Sequence, residues 1–272
     1  MISRPQRHRL AALGGAAALF LALAPATHAD HARPPGPVNA QTTFGWGKPL
    51  WQDDFVGPRK RIWRVEGGGN VRNQHGMLTL NTSTSGSTSA TLKGAGRSTG
   101  RWEIRLRSRQ YATSATSYKV RTELIPAGTR EQHCGARNVA LESYTLGGNR
   151  AHFYARTLPD NQFTDFTGLN LGRDRWHTFA VEVTSKRLSW FVDGHVLATE
   201  RRSVALSGVP LTVRFMMKAQ PGARMNQSRM QMDWLRYFTL QKPNKRSVEA
   251  PQARQGTYSD ACSPGRREGR HL

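Results

Sequence analysis

The chain has 272 residues and carries 40 Lys and Arg against 18 Asp and Glu, a formal net charge of +22. The length suits one β-sandwich or barrel, and a positive excess of this size attracts polyanions over screened distances without naming one or defining a fold. Two cysteines, Cys134 and Cys262, lack the His spacing of a zinc site and leave a disulfide as their expected use.

Residues 1–29 have the three-part layout of a secretory signal peptide: basic Arg4, Arg7 and Arg9, an apolar stretch from Leu10 to Ala24, and a small-residue end at Ala26-Thr-His-Ala29. The apolar stretch is shorter than the roughly 20 residues a spanning helix needs, so no membrane span is expected and the protein reads as secreted and extracellular. Removing three arginines and no acid leaves a mature charge of 22 − 3 = +19. Export puts the cysteines in an oxidising compartment, where a Cys134–Cys262 bridge would tie the C-terminal segment to the middle of the chain.

Residues 30–45 are rich in Pro, Ala and polar residues and read as a linker, with structure starting near Trp46. From 46 to 240, short alternating runs are separated by Gly, Asn, Asp and Ser clusters, and no sustained helical period occurs. Met77–Asn81 is one such strand. Trp102, Ile104 and Leu106 alternate with Arg101, Glu103, Arg105 and Arg107, which gives one buried and one polar face. Phe179, Val181 and Val183 run up to a Ser185-Lys186 turn, Leu188, Trp190 and Val192 run back, and Asp193-Gly194 makes a two-residue hairpin turn into Val196–Thr199. Leu211–Phe215 and Met232–Leu240 close the series. Many short strands without helices predict an all-β, two-sheet antiparallel jelly-roll sandwich. Residues 241–272 lose the period, turn basic and polar, and read as a disordered tail.

Five segments in order, Trp51-Gln-Asp-Asp-Phe55, Gly76-Met-Leu-Thr-Leu80, Gly100–Leu106, Trp176–Val183 with Leu188–Gly194, and Met232–Phe238, together resemble the strands of family 16 glycoside hydrolases. The resemblance implies a concanavalin A-like jelly roll over 46–240 and a cleft for polysaccharide. In that family one strand carries Glu-x-Asp-x-Glu, in some members with one more residue before the final Glu. Alternation puts the three acids on one face, where retaining hydrolysis uses two carboxylates about 5 Å apart. The matching segment is Asn138-Val-Ala-Leu-Glu142. Asn138 then stands at the nucleophile position, Ala140 at that of the assisting Asp and Glu142 at the acid/base position. An amide is a poor nucleophile, so ordinary retaining hydrolysis is expected to be impaired. Glu142 is left as acid/base, ligand contact or partner of an arginine.

The family's neighbouring strand often carries Trp-Pro-Ala-Phe-Trp-Leu-Leu-Pro, whose two Trp stack on sugar rings. The counterpart here, Lys119-Val-Arg-Thr-Glu-Leu-Ile-Pro126, sets Lys119, Arg121 and Glu123 on the ligand face, which suits an anionic glycan or an internal ion pair from Arg121 to Glu142 or Glu123. Glu123 could also supply a second carboxylate opposite Glu142. Tyr144, His152 and Tyr154 would flank the cleft, while Trp46, Trp63 and Trp234 default to core. The family often holds a structural calcium, and Asp233 falls near one ligand position, but one Asp is no cage and no cofactor or metal is assigned. The expectation is a monomeric, secreted protein acting on or binding polysaccharide: β-glucan, β-galactan or an acidic glycan. The alternative is a non-catalytic polyanion- or cell-wall-binding protein working through surface charge. Nucleic acid is not an expected partner, because no nucleic-acid motif is present.

Overall fold

In the computed structural model, which describes residues 38–128, 135–171 and 174–259, the alternating segments resolve into two antiparallel eight-stranded sheets. The first eight strands in chain order are β1 (Trp51–Asp53), β2 (Trp63–Gly67), β3 (Asn70–Gln74), β4 (Met77–Asn81), β5 (Thr88–Leu92), β6 (Gly100–Gln110), β7 (Lys119–Pro126) and β8 (Val139–Thr145). The others are β9 (Arg150–Thr157), β10 (Asn161–Gly168), β11 (His177–Val183), β12 (Leu188–Val192), β13 (His195–Glu200), β14 (Leu211–Lys218), β15 (Ser228–Phe238) and β16 (Arg254–Thr257). The first sheet runs β13-β12-β11-β6-β15-β4-β3 with β1 on β15, and the second runs β16-β10-β9-β8-β7-β14-β5-β2.

The core lies between the sheets and takes alternate residues from each. Trp102, Ile104 and Leu106 of β6 enter it beside Phe179 and Val181 of β11, facing Val120 and Leu124 of β7 and Phe153 of β9. Asp193 and Gly194, at φ 46° and 75°, form the hairpin turn between β12 and β13, both central residues taking the positive φ that matches strand twist. Trp63 joins this core.

The outer face of the first sheet departs from the expected polar surface. Arg101 and Glu103 of β6 are buried, because two flanking segments cover them. A short helix α1 (Ala40–Phe44) lies in the segment read as linker. Asn39 caps it by accepting from the Thr42 amide, and the Glu103 carboxylate accepts from the Ala40 and Gln41 amides at 2.5 and 3.3 Å. Residues 241–248, read as the start of a disordered tail, pack over the same face. Phe44, Trp46, Phe191, Phe238 and Val248 form a second apolar cluster there, and the Trp46 indole donates to Asn244 Oδ1 at 2.6 Å. Arg101 pairs with Glu182 at 2.6 Å and donates to the carbonyls of Thr239 and Lys242. Arg254–Thr257 then adds to the edge strand β10. The tail expectation is therefore corrected over 241–259: hydrogen bonds and a few apolar anchors order a segment that has no period of its own.

Residues 1–29, where a signal peptide is expected, residues 30–37, Cys134, Cys262 and residues 260–272 lie outside the described residues. No helix among the described residues is long and apolar enough to cross a membrane.

Candidate functional site

Cross-strand partners in an antiparallel sheet share a face, so register decides where each candidate points. In the second sheet Lys119 pairs with Thr145, Arg121 with Ser143 and Glu123 with Ala140. Between these sit Val120 with Tyr144, Thr122 with Glu142 and Leu124 with Val139. Val120, Leu124, Val139 and Tyr144 belong to the core, so the first set lies on the outer face and the second points inward. Lys119, Arg121 and Glu123 thus share the outer face, as alternation required.

Glu142 does not join them. Leu141 is an extra residue in β8, a β-bulge where the register shifts between Thr122 and Glu123, and beyond it every side chain has changed face. The outer-face series is Asn138, Ala140 and Ser143, and the same shift recurs against β9, where Ser143 opposes His152. Glu142 points between the sheets, fully buried beside Thr122 and near the Tyr144 phenol. Burial raises its carboxyl well above the ordinary value, and the negative charge of Glu123 adds to the rise. Among the described residues no cation pairs with it, so the ion-pair expectation for Glu142 is corrected along with its cleft position. Tyr144 is corrected too: it is a core residue whose hydroxyl shares a 2.7 Å hydrogen bond with Ser108. Glu123 and Glu142 lie on opposite faces of one sheet and cannot flank a common substrate.

Glu123 is the carboxylate at the centre of the outer face. Arg214 of β14, its direct partner across strands, donates to it at 2.7 Å, Arg121 stands at 3.8 Å, and the Tyr154 hydroxyl donates a short hydrogen bond. Burial pushes the carboxyl up, but the two guanidinium charges and the hydrogen bonds from Arg214 and Tyr154 outweigh it and bring the value down to about 2. It is held ionised and fully committed, without the raised value of a general acid.

Around Glu123 the face is cationic. Lys119 and Lys218 are directly opposed on β7 and β14, a like-charge pair that costs stability when no anion lies between. Partial burial lowers the Lys218 ammonium, with Arg121, Lys119 and Arg156 adding to that shift. Arg156 of β9 is clamped between the rings of Tyr154 and Tyr258, at 4.5 and 4.7 Å to their centroids, and donates to Gln162 at 2.9 Å. His152 is lowered by burial and by Lys119, Arg150 and Arg254, so it is neutral near pH 7. Lys119, Arg150, Ser143 and His152 line one shallow pocket of ≈ 340 Å³ on this face. Arg214, Arg156 and Lys218 escaped the sequence reading; Arg214 and Lys218 alternate on β14 as Lys119 and Arg121 do on β7, but only the β7–β14 pairing joins the rows.

Asp233 sits at a bulge in β15 and its carboxylate pairs with Arg105 at 2.7 Å. A guanidinium there opposes a divalent cation, and among the described residues no three His, Cys, Asp or Glu side chains gather, so these residues do not fit the calcium site the fold family implies.

The architecture defines a two-sheet antiparallel jelly-roll sandwich. Its fold is that of the family 16 glycoside hydrolases. The catalytic domain of an endo-1,3-β-glucanase (laminarinase) from Thermotoga petrophila RKU-1 superposes with TM-score 0.57 at 14% identity, over 73% of this chain and 98% of that one. SCLam, a non-specific endo-β-1,3(4)-glucanase of the same family, gives 0.57 at 15% identity, covering 75% and 96%. A structure from work on endo-acting O-glycanases of human gut microbiota that initiate mucin breakdown gives 0.57 at 18%, covering 70% and 99%. No protein-family model matches the chain, and no curated protein matches it in sequence.

Proposed function

We propose that this is a secreted protein that binds an acidic polysaccharide across the outer face of its second sheet and does not hydrolyse it by the retaining mechanism. One observation carries the reading: the outer-face positions of β8 hold Asn138, Ala140 and Ser143, while Lys119, Arg121, Arg156, Arg214 and Lys218 surround a single, committed carboxylate. Retaining hydrolysis requires two carboxylates on one face about 5 Å apart. Among the described residues the face offers one carboxylate beside β8, Glu123, with a value near 2, while Glu66 on the same face lies three strands from β7 on the edge strand β2 and pairs with Arg64. Guanidinium and ammonium groups bind carboxylate and sulfate by charge-assisted hydrogen bonds, and an anion placed between Lys119 and Lys218 relieves their repulsion. The leader at 1–29 supports export to where such polymers occur.

The test compares binding of a uronate-rich or sulfated polysaccharide with that of neutral β-1,3-glucan, alongside a reducing-end assay on each. Selective binding of the acidic polymer, at least tenfold weaker in the Lys119→Gln/Lys218→Gln variant, with no released reducing ends, is the expected result. Turnover of any of these polymers would overturn the non-hydrolytic reading. Binding that ignores both substitutions and collapses with salt would move function to the general surface charge.

A further inference from the structure

A cavity of ≈ 510 Å³ opens between the two sheets, lined from the first by Trp102 and Leu235 and from the second by Leu211 and Val213. These four residues are buried, whereas Leu50 and Ile62 at the mouth are 60% and 36% exposed. An open apolar cavity of this size with few polar groups is the usual form of a small-molecule site. Among the described residues no acidic residue lines it, and the two charged residues that do are cations, Lys93 and Arg97.

Arg97 is fixed in place. Its amide donates to the Leu211 carbonyl at 2.9 Å and its carbonyl accepts from the Leu211 amide at 3.0 Å. Gly96, at φ 70°, permits this approach, since a Cβ there would stand 2.8 Å from the Leu211 carbonyl oxygen. The Arg97 guanidinium lies over the Tyr237 ring at 5.9 Å from its centroid, and the Tyr237 hydroxyl is tied to the Thr99 carbonyl at 2.9 Å. A cation held at the lip of an apolar cavity matches an amphiphile with one anionic end and a linear apolar body.

We propose that this cavity binds an unbranched fatty-acid carboxylate, its chain inserted between the sheets against Trp102 and Leu235 and its carboxylate held by Arg97 and Lys93. The site is separate from the cationic sheet face and its occupancy does not depend on glycan binding. Arg97 supplies a planar two-donor match to a carboxylate, and the cavity wall supplies the desolvation that makes affinity grow with chain length.

The experiment titrates the folded protein with octanoate, decanoate and dodecanoate below their micelle concentrations, reading calorimetry and the fluorescence of Trp51 and Trp102, both in the cavity wall. Expected are saturable one-to-one binding, about fourfold tighter per added methylene, and at least tenfold weaker binding of dodecan-1-ol. Arg97→Gln should weaken dodecanoate at least tenfold, and Ile62→Glu, which places a carboxylate at the mouth, should abolish it with the melting temperature unchanged. Lys119→Gln/Lys218→Gln should leave it unaltered. Absence of saturable binding, indifference to Arg97→Gln and Ile62→Glu, or equal affinity for the alcohol would each overturn the proposal. So would concentration-dependent dimerisation lost in Ile62→Glu without ligand, which would assign the apolar mouth to a second copy of the chain.

Discussion

Replacing Glu142 by Met should stabilise the protein. The side chain is fully buried, has no ionic partner among the described residues, and carries a carboxyl raised well above 4.5 by burial and by Glu123. At neutral pH the site must hold either an imperfectly satisfied neutral acid or an uncompensated charge, and a buried polar group in that condition costs about 1–3 kcal/mol. Met has similar length and fills the same space beside Thr122 and Tyr144 without that cost. For a domain of this size each kcal/mol moves the melting temperature by about 2–4 °C. The sign with pH follows from the direction of the shift. A carboxyl raised on folding lowers stability as pH rises above the unfolded value, so the advantage of Glu142→Met should be smallest near pH 4 and grow towards pH 8. Thermal unfolding of both proteins across that range, with acidic-glycan binding measured in parallel, reads both effects. Binding should stay within twofold of wild type. A melting temperature lowered at every pH, or loss of binding or turnover in Glu142→Met, would refute the inward placement and restore Glu142 to the ligand face.

Glu123→Gln should act oppositely, costing about 3 kcal/mol by leaving Arg214 and Arg121 without their carboxylate; urea titration at pH 7 checks it. Because the folded value is depressed to about 2 from 4.5, the wild-type contribution is present above pH 4.5 and is lost as pH falls towards 2, a loss of about 3 kcal/mol that the variant should not show. Glu103 is raised by burial to about 7, so it weakens folding as pH climbs from 4.5 through 7. In Glu103→Gln that alkaline decline, about 3 kcal/mol for a shift of this size, should disappear from chemical unfolding curves measured between pH 5 and 8.

The strand pattern was legible wherever a period of two ran unbroken against one core. Trp102, Ile104 and Leu106 fell on the inner face, and Asp193-Gly194 made its hairpin, because alternation and turn chemistry are local. The covered outer face of the first sheet was not legible. Glu103 and Arg101 look solvent-facing until α1 and residues 241–248, distant in sequence, close over them. The site failed at one residue. Nothing in Asn138-Val-Ala-Leu-Glu-Ser143 announces that Leu141 will bulge, yet that residue decides whether Glu142 or Ser143 faces outward. Charge rows on β7 were visible, but Arg214 and Lys218 join them only through the β7–β14 register, which no single strand encodes.

The proposed departure from hydrolytic chemistry rests on more than the acids absent from the outer face of β8. Ser143→Glu would return a carboxylate to the outer face at the end of the β8 series, but Arg121 is its direct cross-strand partner and His152 its neighbour on β9. A carboxylate opposite a guanidinium is held below its ordinary value, whereas the acid that protonates a leaving oxygen must be held above it. Ser143→Glu with Asn138→Glu should therefore remain inactive on β-1,3-glucan in a reducing-end assay, and should weaken acidic-glycan binding by adding two negative charges to the face. Only with Arg121→Ala as well does the new acid lose that guanidinium, and Glu123 then loses a counter-charge that helps keep it near 2. Activity gained from the two acids alone would show that Arg121 does not control this face.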